Sequence, residues 1–133
     1  MITKDTLIDD LRKWLGESFT IECPIGYSSI CLSSWFLDER RDGIDIYLRI
    51  EGDNIVIDDD GNTANDLDLS EISIKDEAFK SILDFHNIKI NNDNELEIKF
   101  PYTDNFYITV LSFFQAITQI YAVASYKRGL NDI

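Results

Sequence analysis

The sequence predicts an α+β protein: an antiparallel β-meander plus a hairpin, packed against an N-terminal helix, a mid-chain helix pair and a long apolar C-terminal helix. Three observations support this. Apolar residues recur at helical spacing near the N-terminus, in the middle and at the C-terminus. The segments between them alternate with period two and are joined by tight polar turns, which implies antiparallel neighbours. Strands and helices are therefore segregated along the chain, as in α+β rather than α/β proteins.

Taken in order, Thr3 is placed to cap a helix carrying Leu7, Ile8, Leu11, Trp14 and Leu15, and Gly16 to end it. Residues 19–23 alternate, and in 29–36 Ile30 and Leu32 fall in phase. The charged DERRDG turn, 38–43, leads into Ile44, Ile46, Leu48 and Ile50, a strand with one buried face. The short EGDN turn, 51–54, precedes a strand over 55–57. Asp58, Asp59, Asp60 and Gly61 then break the sheet, and Thr63 with Asp66 has capping-box-like spacing for a short helix bearing Leu67 and Leu69. Ser73 is expected to cap a second mid-chain helix, with Phe79, Ile82, Leu83 and His86 on one face. Residues 88–90 and 95–100 form the hairpin, Pro101 stops it, and Asp104 is expected to cap the last helix.

That last helix has no charged residue from Asn105 to Tyr126, 22 positions. It is long enough to cross a bilayer, which takes about 20 apolar residues. Gln115, Gln119, Thr109, Ser112, Thr118 and Ser125 interrupt it, and glutamine is costly in hydrocarbon without partners. We read it as a core helix lying on a sheet, with Lys127 and Arg128 at its C-terminal end where the helix dipole favours cations.

The chain has 133 residues, 12 Lys plus Arg and 25 Asp plus Glu, for a formal net charge of -13. That length predicts a single globular domain, 1–133. With 44% hydrophobic and 12% aromatic residues it has material for a core, which argues against disorder. The acidic balance argues against direct nucleic-acid binding, which needs a basic footprint. Charges mixed through the first 14 residues argue against a secretory signal, and two cysteines, Cys23 and Cys31, against a disulfide scaffold. A cytoplasmic protein with reduced thiols is the expectation.

The stretch IVIDDDGNTANDLDL, 55–69, resembles the bacterial and phage family called domain of unknown function 1828. That family is marked by a strand ending in Asp-Asp-Gly, then a short helix with spaced leucines. A second helix, a strand pair and an apolar C-terminal helix follow, and residues 73–126 fit that order. Asn62 between Gly61 and Thr63, and Ala64 in place of a leucine, depart from the pattern. The resemblance implies a phage or mobile-element setting and no transferable activity.

Several constellations invite chemistry. Asp58 and Asp60 have the Asp-x-Asp spacing that resembles the loop of haloacid-dehalogenase-like phosphatases, but Asn62 spoils the motif and those enzymes use a parallel sheet. An EF-hand fails because the residue five before Gly61 is Val56. Glu97-Ile98-Lys99 has the Glu-x-Lys form of metal-dependent nuclease strands. The enzymatic alternative is therefore a nuclease or phosphodiesterase using Asp58, Asp60, Glu97 and Lys99, with Asp58 and Asp60 holding Mg²⁺ or Mn²⁺. The bland reading of the triplet is a turn whose carboxylates complement the following helix. His86, the one histidine, has no nucleophile-elbow partner in sequence and reads as a helix-end residue.

The leading expectation is a non-enzymatic protein-binding domain without a cofactor, an inhibitor or accessory factor that engages a basic, nucleic-acid-binding surface of a partner protein. Asp38, Glu39 and Asp42 of one turn and Glu51 and Asp53 of the next are its candidate partner-binding residues. No membrane partner is expected. Pairing of the last helix with a copy of itself, giving a homodimer, is a further reading.

Overall fold

Alternation of branched apolar residues with polar ones builds a single six-stranded sheet. The computed structural model describes residues 2–16, 19–23, 29–37 and 43–131, with the side chains of 35–37 and 130–131 outside that description. The chain runs α1 (Lys4–Leu15), β1 (Phe19–Glu22), β2 (Ile30–Leu37), β3 (Gly43–Glu51), β4 (Asn54–Asp58), α2 (Asn62–Asp68), a 3-10 turn (Glu77–Phe79), α3 (Lys80–Phe85), β5 (Lys89–Ile90), β6 (Leu96–Pro101) and α4 (Phe106–Asn131). The fold is α+β as the sequence predicts. All pairings are antiparallel, in the order β1-β2-β3-β4-β6-β5. The hairpin is thus not a separate unit: β6 lies directly against β4 and extends the meander.

One face of this sheet is covered by helices. Ile30, Leu32, Ile46, Leu48, Ile55, Ile57 and Leu96 point into the core. They meet Leu7, Leu11 and Leu15 of α1, and Val110, Phe113, Phe114, Ile117 and Ile120 of α4. α1 lies beside α4, with Trp14 stacked on Tyr107 at 4.6 Å between ring centroids. α3 flanks α4 through His86. The residues 106–129 are long and apolar enough to cross a membrane by length and composition. Here they form a helix seated on the sheet by one face, with Ile108, Leu111, Gln115, Thr118, Ala122 and Tyr126 outward.

The helix starts follow side-chain chemistry, in places other than the sequence suggests. Thr3 caps α1, its Oγ1 accepting from the Thr6 N–H at 3.1 Å, and Gly16 ends it at φ +64°. Thr63 does not cap α2. Gly61 holds the cap position, and Asp59 supplies the acceptor that Thr63 was expected to provide. Ser73 closes a local turn onto the Lys75 N–H, while Asp76 caps the 3-10 turn that leads into α3. The start of α4 falls two residues after Asp104 and is closed by the Phe106 N–H bonding to the Thr103 carbonyl at 3.2 Å.

Gly43 shows where the backbone leaves no room. A Cβ there would sit 2.8 Å from the Ser34 carbonyl oxygen of the neighbouring strand, whereas one at Gly129 of α4 would meet nothing within 4 Å. Gly43→Val is expected to lower the unfolding free energy by about 1–3 kcal/mol, because backbone must move to admit it. Gly129→Ala should raise it by up to about 1 kcal/mol by removing glycine's conformational freedom from a helix. Urea denaturation of the two variants beside the parent checks both.

Candidate functional site

The uncovered face of the sheet collects the polar half of every strand. One row runs across all six strands: Glu22, Cys31, Tyr47, Asp58, Glu97 and Lys89. A second holds Thr20, Ser33 and Asp45 on the first three strands. A third pairs Arg49, Val56 and Lys99. Val56 is 1% exposed although it points away from the core. Its register neighbours explain this, since long basic side chains lay apolar stems over small residues while their heads stay wet. Burial, then the nearby Cys31 and Asp45, push the Tyr47 phenol up to about 12. Burial likewise raises the Cys31 thiol; Cys31 is half-buried, Cys23 is exposed, and both thiols are free.

The three aspartates that end β4 have three different tasks. Asp59 is 1% exposed and points inward. Its Oδ1 accepts from the Gly61 N–H at 3.0 Å and the Leu96 N–H at 2.9 Å, and its Oδ2 from the Thr63 N–H at 3.1 Å. It therefore caps α2 and fastens the start of β6. Asp58 stays on the open face, where Oδ1 accepts from the Asp60 N–H and Oδ2 from Arg49 Nη1, at 2.9 and 3.0 Å. Burial raises the Asp58 carboxyl above its ordinary 3.8, against the lowering effects of the Asp60 N–H and Arg49. Asp60 is exposed and sits in the left-handed region at φ +55°, which Asp tolerates better than most residues.

The residues of the enzymatic alternative fall partly together. Asp58 and Glu97 are cross-strand partners, and Lys99 lies two residues along on the same face. What lies between the two carboxylates is Arg49. Its guanidinium reaches Asp58 at 3.0 Å, Glu51 at 3.2 Å and Glu97 at 3.5 Å. Lys99 pairs with Glu51 at 3.6 Å, and Asn91 donates to Glu95 and Glu97. Among the described residues no group of three or more His, Cys, Asp or Glu side chains converges to hold a metal ion. A fixed cation thus already occupies the position between the carboxylates.

The candidate partner-binding residues divide between two ends of the sheet. Glu51 and Asp53 are exposed in the β3–β4 turn. Asp38, Glu39 and Asp42 lie outside the described residues, but the strands they join pair at Leu37 and Gly43, the opposite end of β3. At about 3.4 Å per residue the nine-residue β3 separates these ends by about 27 Å. The described acids toward the Gly43 end include Asp45, Asp60 and Asp93, with Asp59 and Asp66 lining a cavity beside Gly43; Gly61 lies close enough to the Asp93 carbonyl that the β4–α2 and β5–β6 turns abut.

His86 has more partners than the sequence suggests. Its Nδ1 lies 2.6 Å from the Ser112 Oγ and its Nε2 3.0 Å from the Gln119 Oε1. Because Gln119 Oε1 only accepts, Nε2 carries the proton and a neutral ring accepts at Nδ1 from Ser112. The geometry resembles a nucleophile, base and orienting amide. Ser112 is in the middle of α4, however, where backbone N–H groups are spent on the helix and none is left to hold an oxyanion. We read the trio as a polar clasp between α3 and α4.

The family described as Domain of unknown function DUF1828 matches residues 34–120. The chain belongs to that family. The match takes in β3 to β6, α2, α3, part of β2 and most of α4, and leaves α1 and β1 before it. No curated protein and no solved structure matches the chain.

The DUF1828 match contains the whole Asp58–Asp60 turn, and two properties of that turn are testable. Asp59→Ala removes the acceptor for three backbone donors, so it should cost about 2–4 kcal/mol in urea unfolding, whereas Asp60→Asn should stay within about 0.5 kcal/mol. Asp58 titrates above its ordinary 3.8, so the folded state binds the extra proton. Stability should therefore fall as pH rises from near 4 through the folded-state value and then level off. Carboxyl-carbon NMR of the parent and of Arg49→Gln checks this, with the Asp58 midpoint expected to move further up once Arg49 is gone.

Proposed function

We propose that this DUF1828 domain is a non-enzymatic, acidic protein-binding module. It engages a basic, nucleic-acid-binding surface of a partner protein, as an inhibitor or accessory factor in a phage or mobile-element setting. The observation that carries this reading is the open sheet face. Arg49, the one arginine among the described residues of this face, is held by three carboxylates of the same face and Lys99 pairs with Glu51, while Glu22, Asp60 and Asp93 are exposed at or beside it. A face whose Arg49 and Lys99 pair with its own carboxylates, and whose exposed acids outnumber the exposed Lys89, suits a basic partner, and the net charge of -13 steers such a partner toward it.

The abutting β4–α2 and β5–β6 turns offer one contiguous contact area in this reading, with Asp60 and Asp93 exposed on it; Asp38, Glu39 and Asp42 remain candidate contacts by sequence. Glu51 and Asp53 form a second, distant one. A partner that spans both follows the sheet along the full length of β3. No metal or other cofactor enters the proposal, and the domain is expected to act within the cytoplasm without touching nucleic acid itself.

Affinity capture from the source cell's lysate, with and without competing duplex DNA, identifies the partner. The dissociation constant of the purified pair is then followed against salt. DNA should displace the partner, and raising salt from low to several hundred millimolar should weaken binding at least about tenfold, since exposed charges are screened over about 8–10 Å. Asp60→Lys with Asp93→Lys should weaken it further at low salt. Affinity that is flat in salt, or a partner that DNA does not displace, overturns the proposal.

A further inference from the structure

A small cavity lies at the Gly43 end of β3, between that strand, the start of α2 and α4. It measures about 210 Å³ and is lined by Asp45, Asp59, Asn62, Thr63, Asp66 and Tyr121. Three carboxylates from separate parts of the chain thus border one space, and among the described residues no Lys, Arg or His lines it. Asp59 is bonded by backbone N–H groups, which are neutral and leave its charge uncancelled. Asp45 accepts from the Ser33 hydroxyl and forms no ion pair among the described residues. Asp66 accepts from the Tyr121 hydroxyl at 2.7 Å, and both of these residues have further interactions.

Thr63 decides what the cavity asks for. It is 1% exposed, and its N–H bonds to Asp59, but its hydroxyl has no hydrogen-bond partner among the described residues. The unpartnered side-chain group that is sealed from solvent is the Tyr102 hydroxyl. The Thr63 hydroxyl is therefore not sealed, and the little surface that Thr63 keeps is on the cavity. A buried hydroxyl left without a partner is costly, so a donor entering the cavity gains a ready acceptor. The carboxylates do not converge on a point, since among the described residues no three such groups are placed to hold a metal ion. Acceptors spread around a space suit a planar guanidinium, whose five N–H donors diverge and which sheds water more readily than an ammonium. The volume is below the roughly 300–1,000 Å³ of sites that enclose a whole drug-sized ligand, and it suits the end of one side chain.

We infer that this cavity receives one arginine side chain of the basic partner, its guanidinium held between the Asp45 carboxylate and the Thr63 hydroxyl, with Asp59 adding its charge. The inference rests on the proposed function and deepens it. Exposed acids steer the partner over a distance, whereas the cavity fixes a single arginine of its surface and so sets the register of docking.

Methylguanidinium is the probe for the domain alone. Titrated into the full chain at constant ionic strength and followed by amide NMR, it should move the Asp45, Asn62 and Thr63 signals along one saturable curve in the millimolar range. Methylammonium should bind at least about threefold more weakly, having fewer donors and a tighter water shell. Asp45→Asn keeps an acceptor for Ser33, and Thr63→Val removes only the unpartnered hydroxyl. Each should weaken the probe at least about threefold, with circular dichroism showing the fold retained. Both substitutions should also weaken the captured partner, and methylguanidinium should compete with it. Absence of a saturable shift, or an equal shift with potassium chloride, overturns the inference. So does a partner that weakens with salt but ignores both substitutions, and in that case the proposed function stands. Methylguanidinium bound in the cavity with no basic partner captured overturns the proposed function, and with it the source of the arginine.

Discussion

The carboxylate of Asp59 is the interaction on which the rest of the arrangement depends. It sits at the point where β4 leaves the sheet, and it bonds backbone both just ahead in the chain and 37 residues away, at Leu96. The local bonds aim α2 back across the core. The distant one sets β6 beside β4, and that register makes Asp58 and Glu97 neighbours. The ion network of Arg49 is thus downstream of a residue that takes no part in it. A buried charge of this kind tolerates dry surroundings because its acceptor sites are filled by oriented N–H donors.

The two layers divide the chain's chemistry. The sheet's inner face and one side of α4 take up the branched and aromatic residues, while the charges go to the open face and the turns. α4 is the exception that links both: it is apolar enough to be buried on all sides, yet the sheet, α1, α3 and the α2–α3 segment cover only part of its circumference. Two layers cannot enclose a helix completely, so the uncharged side at Ile108, Leu111, Gln115, Thr118 and Ala122 is left to solvent. The polar residues that interrupt α4 also have different uses. Ser112 and Gln119 clasp His86, Thr118 bonds back to the Phe114 carbonyl, and Tyr121 reaches Asp66 of α2 at 2.7 Å.

The element boundaries were largely legible because period-two and helical patterns are local. Ile44 to Ile50 could only be a one-faced strand, and Leu7, Leu11 and Leu15 only one face of a helix. The capping of α2 was misread for a related reason: Thr63 and Asp66 have the local spacing of a cap, but the competing acceptor, Asp59, is recruited by the same turn and by β6. The pleat puts Asp59 in phase with Ile55 and Ile57 and so turns it inward, but its distant donor, the Leu96 N–H, has no local sign. The place of β6 next to β4, the position of Arg49 between two carboxylates, and the partners of His86 all bridge long stretches of chain. Ser112 and Gln119 are seven apart on α4, two helical turns, and that spacing was the one available sign that they share a partner.

The lengths of the outer strands have a consequence of their own. The sheet ends in β1, four residues, on one side and β5, two residues, on the other. Any strand arriving at either border finds a ladder too short to hold it, and the Lys89 side chain stands on the shorter one. The sheet therefore cannot be lengthened by a neighbour's backbone. In a sheet with borders this short, edge-to-edge growth of the kind that builds filaments has little backbone to start from.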